Sequence, residues 1–125
     1  MFKKTVTYTD FNDVERTEDF YFNLTKAEVL EMQLGTAGGF SEMIQRIIDA
    51  KDTPQLIKVF KDLVLKAYGE KSLDGKRFIK SPEIAEAFAQ TNAYSEIFME
   101  LATNDKEASA FVNGITPKGL ENYVK

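Results

Sequence analysis

At Leu24 the spacing of apolar residues changes, and no other feature limits the possible folds of this chain so strongly. Before that point, in "KKTVTYTDFNDVERTEDFYFNL", Lys4, Val6 and Tyr8 alternate with Thr5, Thr7 and Thr9, and Phe20, Phe22 and Leu24 alternate with Tyr21 and Asn23. A period of two, rich in threonine and aromatic residues, is the pattern of a half-buried strand. "FNDV" between the two runs suits a hairpin turn, because Asn and Asp tolerate positive φ better than other side chains. The expectation is an antiparallel hairpin within residues 1–24, with Val6, Tyr8, Phe20 and Phe22 on its buried face. A lone hairpin is marginal in water, so it must lie on helices or pair with another chain.

After Leu24 the pattern becomes helical. Thr25 with Glu28 spells a capping box, and Leu24 with Val29 a hydrophobic staple. Val29, Leu30, Met32 and Leu34 follow, and Gly35 ends the run before a "TAGG" joint. Phe40, Met43, Ile44, Ile47 and Ile48 repeat at one-sided helical spacing. Thr53 and Pro54 start a third helix, with Leu56, Ile57, Phe60, Leu63, Val64, Ala67 and Tyr68 inward and Gly69 as a left-handed cap. Ser81 and Pro82 repeat the start signal ahead of Ile84, Ala85, Phe88 and Ala89. Thr91 or Asn92 opens the next helix, with Tyr94, Ile97, Phe98 and Leu101. Asn104 and Glu107 begin the last, which holds Ala108, Phe111 and Val112 and closes at Gly114. The expected fold is α+β, an N-terminal antiparallel β-hairpin (1–24) followed by about six short packed α-helices (25–114). Together these make one domain, 1–114, with a flexible tail at 115–125.

Composition narrows function mainly by exclusion. The chain has 125 residues, enough for one domain with a true core, and 43% apolar residues against 29% charged. Twenty acids outnumber 16 bases for a net charge of −4, which disfavours nonspecific nucleic-acid binding. The absence of cysteine removes disulfides and thiolate metal sites. The absence of histidine removes the commonest general base and metal ligand. Lys3 and Lys4 are followed by polar and β-branched residues, not an apolar signal core, and no run approaches the roughly 18 apolar residues of a membrane span. The expected setting is the cytoplasm of the cell that makes the chain, without cofactor, metal, nucleic acid or membrane.

"YGEKSLDGKRFIKS", residues 68–81, offers the strongest invitation to propose an active site. A phosphate loop needs GxxxxGK[ST] between a buried strand and a helix. Here five residues separate Gly69 from Gly75, one too many, and Arg77 stands where the hydroxyl residue belongs. The preceding segment reads as helix, so the stretch reads as a connector, with "LDGK" as its turn and Phe78 and Ile79 anchored inward. Lys71, Lys76, Arg77 and Lys80 then form an exposed basic spot on an acidic protein. The acids of "DVERTED" and "NDKE" fit solvated turns and helix starts, and no serine has a histidine to activate it. The expected protein is not an enzyme, and its candidate contact residues are Tyr21, Phe40, Lys76, Arg77, Lys80, Phe111 and Ile115. Of these, Tyr21, Phe40, Phe111 and Ile115 are weighed against the commoner fate of such side chains, burial in the core.

"TEDFYFNLTKAEVLEM", "LVLKAYGEKSLDGKRFIKS" and "FAQTNAYSEIFMELATNDKEASAFVNGI" together resemble the phage tail assembly chaperones, small tail-region proteins of long-tailed phages and prophages of Gram-positive bacteria. The similarity spans about residues 4–117. It implies a small, helix-rich, non-enzymatic protein of the host cytoplasm, absent from the finished virion. Such a protein coats the tape measure protein, keeps it soluble and helps tail tube subunits (the major tail protein) gather round it. Many such chaperones also exist in a longer, frameshifted form, and the "PKGLENYVK" ending would suit such a junction. The family carries no shared catalytic signature to transfer. An edge strand in the hairpin and Met32, Met43 and Met99 would suit homo-oligomerisation or a permissive groove. The competing reading is a small phage-encoded inhibitor of a host protein.

Overall fold

The computed structural model describes residues 1–35 and 53–117, and within these all side chains except those of 33–35, 53–56 and 59. The expected hairpin is present: β1 (Phe2–Thr9) pairs antiparallel with β2 (Glu15–Phe22) in an unbroken register from Phe2 opposite Phe22 to Thr9 opposite Glu15. Alternation puts Phe2, Lys4, Val6 and Tyr8 of β1 and Phe20 and Phe22 of β2 on the inner face, with Val6, Phe20 and Phe22 buried. The turn is organised by Asp10. Its Oδ1 accepts the amides of Asn12 and Val14 at 2.8 and 3.0 Å, and its Oδ2 accepts from Arg16 Nε at 2.6 Å. Asp13 takes the left-handed conformation, φ 61°, which Asp tolerates better than most residues.

The helices are α1 (Lys26–Gly35), α2 (Thr53–Ala67), α3 (Pro82–Ala89), α4 (Asn92–Thr103) and α5 (Asp105–Ile115). Their starts follow the side-chain signals. In the capping box of α1, the Glu28 amide donates to Thr25 Oγ1 at 3.1 Å and the Thr25 amide to Glu28 Oε1 at 2.9 Å. Ser81 and Thr91 cap α3 and α4, accepting at 3.1 Å from the amides of Ile84 and Tyr94. Asn104 Oδ1 caps α5 by accepting the amides of Lys106 and Glu107. The Glu107 carboxylate reaches Lys4 at 3.3 Å, and Glu100 reaches the same ammonium at 2.7 Å, so β1 is joined to α4 and α5. The helix expected around Phe40–Ile48 lies outside the described residues.

The order of elements departs from a hairpin followed only by helices. Tyr68–Lys71 forms β3 and Phe78–Ile79 forms β4, completing a four-stranded sheet of order β1-β2-β3-β4. β3 pairs antiparallel with β2 through Gly69 opposite Tyr21 and Tyr68 opposite Phe22, and with β4 through Glu70 opposite Ile79 and Lys71 opposite Phe78. Gly69 is therefore a strand residue and not the left-handed helix cap expected of it. Its glycine character answers a close approach, since a Cβ there would lie 2.7 Å from the Phe78 ring and 2.9 Å from the Ile79 carbonyl oxygen. Gly114 behaves alike. It sits inside α5, which continues to Ile115, and a Cβ would meet Phe2 at 2.8 Å.

The core fills the space between the sheet's inner face and the helices. Phe22 is fully buried at its centre, with the rings of Phe2, Tyr68, Phe88 and Phe111 around it at centroid distances of 5.4–6.3 Å. Tyr68 stacks flat on Phe88 at 4.0 Å. Leu24, Val29, Leu63, Val64, Ile97 and Ile115 complete it. The Leu24 amide donates to the Ile115 carbonyl at 3.1 Å, so the end of the last helix is fastened to the link between β2 and α1. Ile57, expected to face inward, is 42% exposed, and Leu30 on α1 is 45% exposed, as the stripes of α1 and α2 are broader than the faces they bury.

Candidate protein-binding surface

The connector at residues 68–81 is a β-hairpin whose turn is built from its own polar side chains. Ser72 and Arg77 meet through Ser72 N–H to Arg77 O at 2.9 Å, and Gly75 takes φ 74°. Asp74 Oδ1 accepts from Ser72 Oγ at 2.7 Å and from the Lys76 amide at 3.0 Å. The Ser72 hydroxyl and that amide hold the Asp74 carboxyl below the usual carboxylate range. The turn leaves Leu73 wholly exposed, with Lys76 and Arg77 exposed beside it.

The basic spot is smaller than expected. Lys80 is turned inward, its Nζ 2.6 Å from Glu28 Oε2 and 2.6 Å from the Asn23 carbonyl oxygen. Burial alone would raise the Glu28 carboxyl, but the Lys80 ammonium and the Thr25 amide outweigh it and hold that group below the ordinary range. Lys71 lies over the Tyr21 ring, 4.3 Å from its centroid, a cation–π arrangement. Lys76 and Arg77 alone of the four make no ion pair or ring contact among the described residues. Tyr21 is half-buried on the outer face of the sheet, beneath Lys71. Phe111 and Ile115 are completely buried, so both take the core role that the sequence weighed against contact. Phe40 lies outside the described residues.

A feature with no sequence forecast lies where β3 parts from β2. After Tyr21 and Gly69 the two strands separate, leaving an open concavity of about 460 Å³. Its lining includes Glu18, Asp19, Tyr21, Glu70 and Lys71, together with Phe20 and Tyr68. Burial, with Glu70 and Glu18 nearby, pushes the Tyr68 phenol above its ordinary range. The signal in sequence was the alternation of Tyr68 and Glu70 around Gly69, hidden by the helical run immediately before it.

The other exposed large apolar side chains among the described residues lie on several elements. Met1 precedes β1, Phe11 and Val14 stand at the hairpin tip, Leu30 on α1, Ile57 on α2 and Met99 on α4. Among the described residues no group of three or more carboxylates is placed to hold a metal ion, and no helix is long and apolar enough to cross a membrane. The surface offers shape, charge and apolar contact. Compared with known protein families, residues 1–125 match the model of the family described as phage tail assembly chaperone. No curated protein and no solved structure matches the chain.

Proposed function

Since the chain belongs to the phage tail assembly chaperone family, we propose that it binds the tape measure protein, keeps it soluble and promotes assembly of the tail tube around it. The family match over the whole length carries this reading. Exposed apolar side chains support it: among the described residues Phe11, Val14, Leu30, Ile57, Leu73 and Met99 stand on several different elements. Such a surface suits many weak contacts along a long partner, each ineffective alone and effective in number. The basic turn at Lys76 and Arg77 adds a charged contact for acidic stretches of that partner. The major tail protein is the second partner in this reading, and the chaperone acts in the host cytoplasm and leaves before the virion is complete. A chaperone needs no catalytic group.

Co-expression with the tape measure protein of the same tail tests the proposal. A soluble complex that forms only when this chain is present supports it. A tape measure protein equally soluble, or equally aggregated, with and without the chain overturns it.

A further inference from the structure

One side of the sheet is left open by its own strands. Across the hairpin turn the Asp10 amide donates to the Val14 carbonyl at 2.9 Å, which makes 10 and 14 a hydrogen-bonded pair. Antiparallel ladders alternate bonded and non-bonded pairs, so Tyr8–Arg16, Val6–Glu18, Lys4–Phe20 and Phe2–Phe22 are the bonded ones. The amides and carbonyls of Glu15, Thr17, Asp19 and Tyr21 therefore point away from β1. Gly69 occupies those of Tyr21, and the Asn23 amide donates to the Ala67 carbonyl at 2.8 Å. β3 then leaves for β4. The outward backbone groups of Glu15, Thr17 and Asp19 have no strand partner among the described residues, and all three residues are exposed.

We propose that this edge of β2, with the notch beside it, binds an extended segment of a protein partner that carries lysine or arginine, adding it to the sheet as a strand. The backbone supplies the affinity of such a contact, and pockets for alternate side chains supply its selectivity. The notch, with Phe20 and Tyr68 in its lining, offers one such pocket. Charge sets the class of partner. Glu15, Glu18, Asp19 and Glu70 line the edge, Arg16 is already held by Asp10, and Lys71 lies over Tyr21. Glu15 and Glu70 have no ion-pair partner among the described residues.

The same acids disfavour a second copy of this edge. Antiparallel pairing about Thr17 would set Glu15 of one copy opposite Asp19 of the other, and like charges directly opposite are destabilising. A helix laid on the edge would leave the outward amides and carbonyls unmet. The site thus differs in kind from a groove for a helical partner and goes beyond the proposed tape measure contact.

The test uses the full-length protein and a short synthetic peptide of alternating valine and lysine, with a valine and glutamate peptide as control. Amide hydrogen exchange is followed by NMR, and affinity by calorimetry. The lysine peptide is expected to slow exchange at Thr17 and Asp19 while leaving Arg16 and Glu18, already bonded to β1, unchanged. The glutamate peptide is expected not to bind. Glu15→Lys combined with Glu70→Lys, two exposed positions, should weaken binding by about tenfold while the far-UV spectrum is kept. No binding of the lysine peptide, binding without protection of Thr17 and Asp19, or binding undiminished by the charge reversal would each overturn the proposal. Tape measure solubility does not enter this assay, so the two readings fail separately.

Discussion

Lys80 Nζ bridges Glu28 Oε2 and the Asn23 carbonyl oxygen, 2.6 Å from each, so the residue following β4 is tied to the link between β2 and α1. Both side chains are mostly buried, at 21% and 27% exposure, which distinguishes this pair from ordinary surface ion pairs. Lys80→Ala should lower stability by about 1.5–3 kcal/mol, the range for hydrogen bonds to charged groups. Urea denaturation measures it, and an unchanged midpoint would show that the pair contributes nothing.

The same pair gives a pH dependence. Because the folded protein holds the Glu28 carboxyl below its ordinary range, its contribution is complete above the unfolded glutamate value, about 4.3. It is lost as pH falls through the lower folded value. The stability difference between the parent and Glu28→Gln should therefore be constant near neutrality and shrink on acidification below about pH 4. A difference that grows towards acid would reverse the sign of the argument.

Gly69 and Gly75 should respond differently to alanine. At Gly69 the added Cβ meets the Phe78 ring and the Ile79 carbonyl, so Gly69→Ala should cost about 1–3 kcal/mol by overpacking. It should also loosen β4 from the sheet. At Gly75 nothing lies within 4 Å, and only the left-handed backbone penalises a side chain. Gly75→Ala should cost about 1–2 kcal/mol, and Gly75→Asn less. Thermal melts of the three variants provide the comparison.

Phe111→Ala should destabilise the fold by about 3–5 kcal/mol through the cavity it opens. A contact residue would instead weaken partner binding at unchanged stability, so denaturation of this one variant separates the two roles.

The exposed turn should behave in the opposite way. Lys76→Glu with Arg77→Glu should leave stability within about 0.5 kcal/mol of the parent. If the basic turn contributes to the proposed tape measure contact, recovery of soluble complex falls in this variant. Unchanged recovery would remove the turn from the binding surface.

Much of this arrangement was legible in local chemistry. The Thr25–Glu28 box, the Ser81 and Thr91 caps and the alternation of Val6, Phe20 and Phe22 are statements about neighbours in sequence, and the structure has each of them. The strands β3 and β4 were not legible, because they are four and two residues long and follow a strong helical stripe. A glycine after such a stripe resembles a helix stop, and only the distant Phe78 ring reveals its other reason for being glycine. The basic spot is smaller than its sequence suggests for a related reason. A lysine's partner can lie far off in sequence, and Glu28 is 52 residues from Lys80. The notch had no local signature, since it is defined by where two pairings stop.

The seating of Phe111 against Phe2 and Phe22, with centroids 5.3 and 5.4 Å apart, sets a timetable for synthesis. The hairpin is made well before the ring that closes its inner face. At ordinary translation rates that interval is on the order of 5–20 s, during which the phenylalanines of β1 and β2 lack that cover. For a nascent chain of this kind, an exposed threonine face and an acidic edge disfavour premature association of the unfinished domain.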